Sequence, residues 1–488
     1  MKETRLTMKN SSTSLFGKRV DRRKVLKGTA ATGIGLGAAS SAFAVPNILA
    51  QEKAPVVFWT THTATGFEAL TQIGEDFNAQ SDAYTVEVVQ RPPADVTDSS
   101  SLITAVRGGE GPDVYLLDRF IVAERAAQGL LQDLTEFMEA AGDNPDLTDR
   151  YVPFAAAEAV YNGAPYALPF DTDVRMLFYN RRMMEEAGID VSGWAPENGP
   201  ITLEEAAEKF NQLNVEEGDQ YSQLGFVPYY SEGWHYTYGF LFGGEFFDWE
   251  NCQVTPDNEN VLAGAQWVQD YAIANDVDKM YAFIQNAMRP GTPPTDNPFI
   301  QGRLGGFISG NWMFAQFRNY MGGGSATPAA TPEGGGSYTA DDVAYTLIPV
   351  PNEGDESATW AGGWSGVVPQ GAKNPEGGYE FVRYLCGPEG SRTYTEMNNN
   401  LPVLTELTSD TELLGPDLTW VVENLFPTTN YRPPLPVGAR YWDELTNAWE
   451  SIYLNQATPE DAMAQVKQNV QSELDAGGYC PIENPVGE

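Results

Sequence analysis

The chain has 488 residues, of which 42% are apolar and 12% aromatic, so it is long enough for more than one core and too apolar to be disordered. Its 67 acidic and 29 basic residues give a formal net charge of −38, which excludes nucleic acid and anionic lipid as partners. With two histidines and three scattered cysteines, we expect no metal site, no cofactor and at most one disulfide.

The negative charge is concentrated after the first fifty residues, where 65 acidic and 20 basic residues remain. One interpretation is a trap for a cationic ligand. The other, which we favour, is a carboxylate-rich surface that keeps the protein hydrated at high salt. The sequence therefore suggests a salt-adapted, halophilic source.

The first residues have the features of an export signal. Residues 21–27 contain a twin-arginine pair, and an Ala/Gly-rich apolar stretch follows at 28–42, ending in small residues. A cationic start, a short apolar stretch and small residues before a cut define a signal peptide. We expect residues 1–50 to be a twin-arginine signal and the mature protein to be periplasmic or extracellular. Beyond it, no apolar run reaches the ~18 residues of a membrane span.

The mature chain opens with strands and helices in alternation. Apolar spacing predicts strands at 55–59, 84–89 and 113–117, with helices at 67–78 and 102–107 between them. Such alternation indicates an α/β fold with a largely parallel sheet. Further strands are predicted at 175–179, 225–230, 305–308, 343–350 and 366–369. The glycine-rich stretch 321–338 is predicted to be a surface insertion.

Ligands of parallel sheets bind beyond the carboxyl ends of the strands. This rule singles out residues 59–62, which follow the first strand, and the Asp118-Arg119 pair, which follows the third. A carboxylate accepts hydroxyl hydrogens and a guanidinium donates in a planar fork, so together they suit a polyol.

Four segments together resemble the extracellular solute-binding proteins of ATP-driven importers, the family of maltose-binding protein. They are 111–120 with 129–134, 166–180 with 186–189, 302–312, and 362–369 with 374–385. The most specific reads Tyr166-Ala-Leu-Pro-Phe-Asp-Thr-Asp-Val-Arg-Met-Leu-Phe-Tyr-Asn180. Their order and spacing over roughly 420 residues carry the resemblance.

The resemblance implies a two-lobed periplasmic-binding-protein fold of type II, in which discontinuous lobes close on a ligand. The first lobe would comprise residues 52–170 and 355–402, and the second 171–350 and 403–488. The chain would cross between lobes at 169–173, near 349–354 and near 401–403. Hinges of this kind absorb rotation at a few loop positions.

The resemblance also implies ligand-binding residues. Asp118 and Arg119 match a charged pair that reaches sugar hydroxyls, and Asp173 matches a sugar-binding carboxylate, with Asp171 as a further candidate. Trp312 and Trp442 match tryptophans that stack on a sugar ring, whose C–H face suits an aromatic plane. The remaining candidates are Trp364, Trp234, Tyr236, Trp59 and His62.

We therefore expect a monomeric, non-catalytic subunit that delivers a mono- or oligosaccharide to membrane permease subunits. The family's Asp-Lys pair is replaced here by Thr63-Ala64, which favours a sugar other than maltose. Two alternatives remain open. A polyamine would suit carboxylates and aromatic rings, and a secreted glycosidase would use paired carboxylates. A phosphate ligand is disfavoured, since the candidate cations are Arg119 and Arg440.

Overall fold

The structure is a computed structural model that describes residues 53–92, 95, 100–289, 292–321 and 338–485. The predicted signal segment and nearly all of the predicted glycine-rich insertion lie outside these residues. Residues 54–60 form the first strand, and Val56 and Phe58 on its inner side are fully buried. The helix 64–80 that follows packs its apolar face on the sheet, as the spacing predicts.

The beginning of the chain forms most of a five-stranded sheet. Its strands 54–60, 84–90 and 114–118 are parallel, and the strand 364–367 is antiparallel to them. The predicted strands at 55–59, 84–89, 113–117 and 366–369 all belong to it. In spatial order its strands are β2 (Tyr84–Gln90), β1 (Ala54–Thr60), β3 (Val114–Asp118), β15 (Trp364–Val367) and β6 (Leu168–Pro169).

A second, larger sheet is built on the long strand β7, Asp171–Asn180, whose residues are almost all buried. The predicted strand 225–230 lies earlier in the chain than expected, at 220–226. In spatial order the strands are β17 (Thr429–Asn430), β14 (Thr359–Gly362), β7, β12 (Leu304–Gly310), β9 (Gln220–Phe226) and β8 (Val215–Glu217), while β13 (Val343–Thr346) and β16 (Leu401–Pro402) also pair with β7.

The helices cover both sheets, and two short strand pairs lie outside them. The pairs are β4–β5 (Val160–Tyr161, Ala164–Pro165) and β10–β11 (Phe247–Asp248, Gln253–Val254). The helices are α1 (Ala64–Gln80), α2 (Ser100–Gly108), α3 (Val122–Ala127), α4 (Thr135–Ala141), α5 (Pro153–Glu158), α6 (Arg181–Glu186), α7 (Leu203–Asn211), α8 (His235–Leu241), α9 (Glu259–Ala274), α10 (Val277–Ile284), α11 (Met313–Tyr320), α12 (Pro375–Leu385), α13 (Pro388–Asn398), α14 (Thr405–Thr408), α15 (Thr411–Leu425), α16 (Gly438–Tyr453) and α17 (Pro459–Gly477).

The chain passes from one sheet to the other at two single residues, and again between β15 and β16, since β16 pairs with β7. It leaves the first sheet at Phe170, between β6 and β7, and returns at Gly363, between β14 and β15. The return lies later than the expected 349–354, because that segment stays beside the second sheet, where Val350 exchanges hydrogen bonds with Ile201 and Leu203. The residue ranges of the two lobes remain a prediction.

A disulfide joins Cys252, in the turn between β10 and β11, to Cys480 near the end of the chain. The third cysteine, Cys386, is a buried thiol whose Sγ donates to the Leu168 carbonyl at 3.2 Å. The scattered cysteines thus contribute one covalent link, within the single disulfide that the sequence allows.

Removing this link should lower stability, because the two cysteines are 228 residues apart and the link restricts the unfolded chain. For the double variant Cys252→Ser/Cys480→Ser we expect a loss of about 2–5 kcal/mol in the free energy of unfolding. Urea unfolding of both proteins, with and without dithiothreitol, measures it. Reductant should destabilise the parent protein and leave the double variant unchanged; a parent protein indifferent to reductant would contradict this expectation.

Candidate functional site

The first sheet presents polar and aromatic residues where its parallel strands end. His62 follows β1, and Asp118 ends β3 directly opposite Trp364 of β15. The rings of His62 and Trp364 lie 4.4 Å apart, and His62 Nδ1 hydrogen-bonds the Thr60 hydroxyl at 2.9 Å. Burial lowers the pKa of His62 to about 4, so its imidazole is neutral at physiological pH.

The second sheet brings a matching set of residues to the start of β7. The carboxyl end of β12 pairs with the beginning of β7, since Gly310 lies opposite Arg175. Trp312 follows β12 by two residues, and the loop after the parallel strand β9 supplies Glu232 and Trp234. Loop residues from separate parts of the sequence therefore converge on Arg175.

Arg175 is the cation at the centre of this second group. Its Nε donates to Glu232 at 3.0 Å, and its Nη1 forms an ion pair with Asp173. The guanidinium carbon lies 3.5 Å from the ring centroid of Trp360 and 5.6 Å from that of Trp312. The buried guanidinium thus lies between two carboxylates, whose charges it balances only in part, and fixes the orientation of two indole rings.

Arg432 is the buried cation beside Asp118, as Arg175 is beside Asp173. Its Nη2 donates to Asp118 Oδ1 at 3.0 Å, and its Nε donates to Glu158 at 3.0 Å. Its guanidinium carbon lies 4.7 Å from the ring centroid of Phe120 and 5.6 Å from that of Trp360. Burial raises the pKa of Asp118, an effect that the charge of Arg432 opposes. Trp360 therefore lies between the two arginines.

Aromatic rings continue the surface on the side of α16. The Trp442 ring centroid is 5.7 Å from Phe120, 5.6 Å from Trp234 and 6.2 Å from Trp360. Tyr236 lies 6.0 Å from Trp442 but is only 3% exposed, so it supports the cluster from behind. Trp234 and Trp442 are half-buried and retain exposed faces. Together with Trp312 and Trp364, they form the accessible aromatic surface of the site.

Arg119 has partners different from the predicted sugar hydroxyls. Its side chain is fully buried, with Nε donating to Glu158 at 3.1 Å. Its two terminal nitrogens donate to the backbone carbonyls of Asp171 and Gly362, and Nη2 lies 3.4 Å from the Thr172 hydroxyl. The donors of this guanidinium are directed at protein atoms.

Asp171 is likewise enclosed by the protein and is 2% exposed. One carboxylate oxygen accepts from the Trp364 backbone N–H at 2.8 Å, and the other accepts from Asn400 Nδ2 at 2.6 Å. Trp59, another predicted residue, is half-buried and has the Arg91 guanidinium 4.2 Å above its ring. The structure thus groups Asp118, Asp173, His62 and four tryptophans, while Asp171 and Trp59 have protein partners of their own.

The sequence interpretation missed Arg175, Arg432, Trp360 and Glu232. For Arg175 a signal was present, because it interrupts an apolar strand in a chain where basic residues are scarce. Arg432 lies in an irregular segment whose neighbours in the fold follow no sequence pattern. Arg440, which was expected as a cation of the cleft, is instead exposed on α16 and pairs with Glu444 four residues later.

The carboxyl group of Asp171 should make stability pH-dependent. Burial raises its pKa to about 7, against the opposing hydrogen bonds from Asn400 and Trp364. Because the folded protein holds this proton more tightly than the unfolded chain, the stabilisation is full below about pH 4 and is lost as pH rises towards 7. Because the variant Asp171→Asn has no carboxyl proton to lose, its stability should fall less than that of the parent protein as pH rises across this interval.

Thermal unfolding of both proteins in steps between pH 4 and pH 8 measures this difference. Asp270→Asn, which removes an exposed carboxylate on α9, is the control for a simple change of charge. Parallel profiles for Asp171→Asn and the parent protein would show that Asp171 does not titrate in this range.

Comparison with known proteins supplies the context of this site. Residues 61–391 match the family model described as bacterial extracellular solute-binding protein. The chain belongs to this family. Among curated relatives, a maltotriose-binding protein of Pyrococcus abyssi is 21% identical over 413 residues, covering 81% of this chain and 77% of that protein.

Solved structures show the same fold. CpMnBP1 with mannobiose bound aligns with a TM-score of 0.70 at 19% identity, covering 86% of this chain and 100% of that one. A solute-binding protein of Thermotoga lettingae bound with α-D-tagatose aligns with a TM-score of 0.66 at 21% identity, with coverages of 86% and 100%. The chain therefore has the two-lobed α/β fold of these binding proteins. Within the part of the chain that the structure describes, no helix is long and apolar enough to cross a bilayer.

Proposed function

We propose that this solute-binding protein captures a neutral saccharide between its two sheets and delivers it to the permease subunits of an ATP-driven importer. The proposed contacts are Asp118, Trp364 and His62 from the first sheet, and Asp173, Trp312, Trp234 and Trp442 from the second. The relatives support a sugar ligand, because the names of several refer to maltooligosaccharides or mannooligosaccharides.

One observation carries this proposal: each accessible carboxylate is already paired with a buried arginine beside accessible tryptophans. The side chain of Asp118 is 21% exposed and pairs with Arg432. The side chain of Asp173 is 16% exposed and pairs with Arg175. Arg119 and Arg432 balance the charges of Glu158 and Asp118, while Arg175 is shared by Asp173 and Glu232. The paired carboxylates still offer oxygen lone pairs to hydroxyl hydrogens. Flat indole faces beside them cover the C–H face of a sugar ring.

The same observation disfavours a polyamine. A polycation would require several carboxylates whose charge is not already balanced. Asp118 has Arg432 as its partner, while Asp173 and Glu232 share Arg175, so this group leaves one negative charge without a partner cation. The acidic composition of the chain would then reflect its surface rather than its ligand. Salt adaptation remains our proposal for that surface.

We propose no catalytic role, because the family consists of transport proteins and the candidate acid is poorly placed. A glycosidase needs a protonated carboxyl group that reaches the glycosidic oxygen. Asp171, the predicted neighbour of Asp173, is 2% exposed and has both oxygens in hydrogen bonds with Trp364 and Asn400. Release of reducing sugar from an oligosaccharide would overturn this part of the proposal.

We also propose export by the twin-arginine route and action as a monomer, without metal or nucleic acid. The twin-arginine sequence at 21–27 supports the export route. The excess of acidic residues supports the exclusion of nucleic acid.

A thermal-shift screen tests the ligand class. Mannobiose, maltotriose, tagatose and spermidine are compared at equal concentrations, because a ligand at 100 times its Kd stabilises the folded state by about 2.7 kcal/mol. We expect a rise in melting temperature with at least one saccharide and none with spermidine. A response to spermidine alone would replace the saccharide by a cation as the ligand.

A further inference from the structure

Three separate passages of the chain meet at the junction of the two sheets. Residues 170–172 lead into β7, residues 362–364 lead from β14 to β15, and residue 400 leads into β16, which pairs with β7. Rotation of one sheet against the other must be absorbed by these passages. Side chains that hold them together therefore control that rotation.

Arg119 connects the first two passages to the end of β3. Its terminal nitrogens donate to the carbonyls of Asp171 and Gly362, and its backbone N–H donates to the Gly363 carbonyl at 3.0 Å. Gly363 has a φ of 128°, and a Cβ at this position would collide with Arg119 Nη1 and the Asp171 carbonyl. The close approach therefore requires a glycine at the second passage.

Asp171 connects the third passage to the other two. Its carboxylate accepts the Trp364 N–H at 2.8 Å from the second passage and Asn400 Nδ2 at 2.6 Å from the third. Separating the passages would leave these buried polar atoms without partners, which is costly. One arginine and one aspartate thus link all three passages.

Glu158 is the counterion of Arg119 and connects it to the proposed ligand surface. Glu158 of α5 is fully buried, accepts from Arg119 at 3.1 Å and also binds Arg432, which in turn holds Asp118 of the proposed ligand surface. Three ion pairs, Arg119–Glu158, Glu158–Arg432 and Arg432–Asp118, therefore connect the passages to a proposed ligand contact.

We propose that Arg119, Asp171 and Asn400 form a hinge clasp that holds the three passages together and sets the balance between the open and closed arrangements of the two sheets. They act as positioning residues, without contact to the ligand. This inference rests on the proposed function for its effect on affinity. Its effect on the hinge is independent of any ligand.

The clasp predicts a particular pattern of affinity loss. If a variant lowers the fraction of molecules able to close, the affinity for every ligand falls by the same factor. If instead Arg119 contacted the sugar directly, the factor would differ between sugars with different hydroxyl arrangements. For Arg119→Lys and Asn400→Ala we expect a common loss of about two- to thirty-fold.

The direct test measures the distance between the two sheets in the absence of ligand. Spin labels are attached through Glu139→Cys on α4 and Glu204→Cys on α7, both exposed, and the distance distribution is measured by double electron–electron resonance. We expect a broader distribution in Arg119→Lys and in the milder variant Asn400→Ala. Asn398→Ala is the matched control, since its side chain accepts from Thr65 on the neighbouring helix α1.

An unchanged distribution in both clasp variants would overturn the inference, as would affinity losses that differ between two saccharides. Binding of two saccharides is measured in parallel by calorimetry. A parent protein that binds neither sugar but shows the expected broadening would retain the clasp and contradict the proposed function. Normal sugar binding together with unchanged distance distributions would retain the proposed function and contradict the clasp.

Discussion

Trp312→Ala should weaken saccharide binding by about 30-fold, the equivalent of about 2 kcal/mol for one central aromatic contact. Trp312 is half-buried at the end of β12, and the Arg175 guanidinium lies 5.6 Å from its ring. Alanine removes the flat face proposed to cover the sugar while Arg175 retains its pairs with Asp173 and Glu232. Calorimetric titration with the saccharide selected by thermal shift measures the change.

Trp267→Ala provides the control. Trp267 is also half-buried, but it stacks on Tyr238 at 5.5 Å on the side of α9. It should lose stability without losing affinity. Equal affinity losses in the two variants would mean that Trp312 acts through general stability and contacts no ligand.

Glu158→Gln should cost about 3–5 kcal/mol of unfolding free energy, since it breaks two buried ion pairs at once. Glu158 is fully buried and accepts from Arg119 at 3.1 Å and from Arg432 at 3.0 Å. A neutral amide would leave two buried guanidinium groups with the single carboxylate of Asp118. Urea unfolding of the two proteins measures the loss.

The matched control is Glu110→Gln, which breaks the surface pair with Lys373. The side chains of Glu110 and Lys373 are 80% and 59% exposed, so solvent screens the pair and its loss should leave stability nearly unchanged. A Glu158 variant as stable as the Glu110 variant would contradict the importance of the buried network.

The fold was largely predictable because its elements are local. Apolar alternation located β1, β2 and β3 to within one or two residues, and the spacing of buried residues located α1. The return of the chain to the first sheet was less predictable. It depends on Gly363, whose conformation is demanded by a side chain from a distant part of the chain, Arg119.

The candidate site was predictable only in part, for the same reason. Rules about strand ends singled out Asp118 and His62, and motif resemblance added Asp173, Trp312 and Trp442. Neither strand-end rules nor motif resemblance predicts which carboxylate an arginine will pair with. Arg432 reaches Asp118 across 314 positions of sequence, and such long-range pairing follows from tertiary structure alone.

This pairing changes the chemical interpretation of the acidic residues. From composition, carboxylates beside aromatic rings suited both a sugar and a polyamine. Once Arg432 is placed beside Asp118, and Arg175 between Asp173 and Glu232, most of the negative charge of the accessible surface is balanced and one excess charge remains. The molecule then favours hydroxyl groups as its ligand chemistry.

The most direct test of sugar capture is a crystal structure with the saccharide that gives the largest thermal shift. We predict one sugar between the two sheets, with its hydroxyls on Asp118 and Asp173 and a ring face on Trp312 or Trp442. Arg119 should keep its bonds to the Asp171 and Gly362 carbonyls. A sugar bound elsewhere on the molecule, or one held by Arg119, would contradict it.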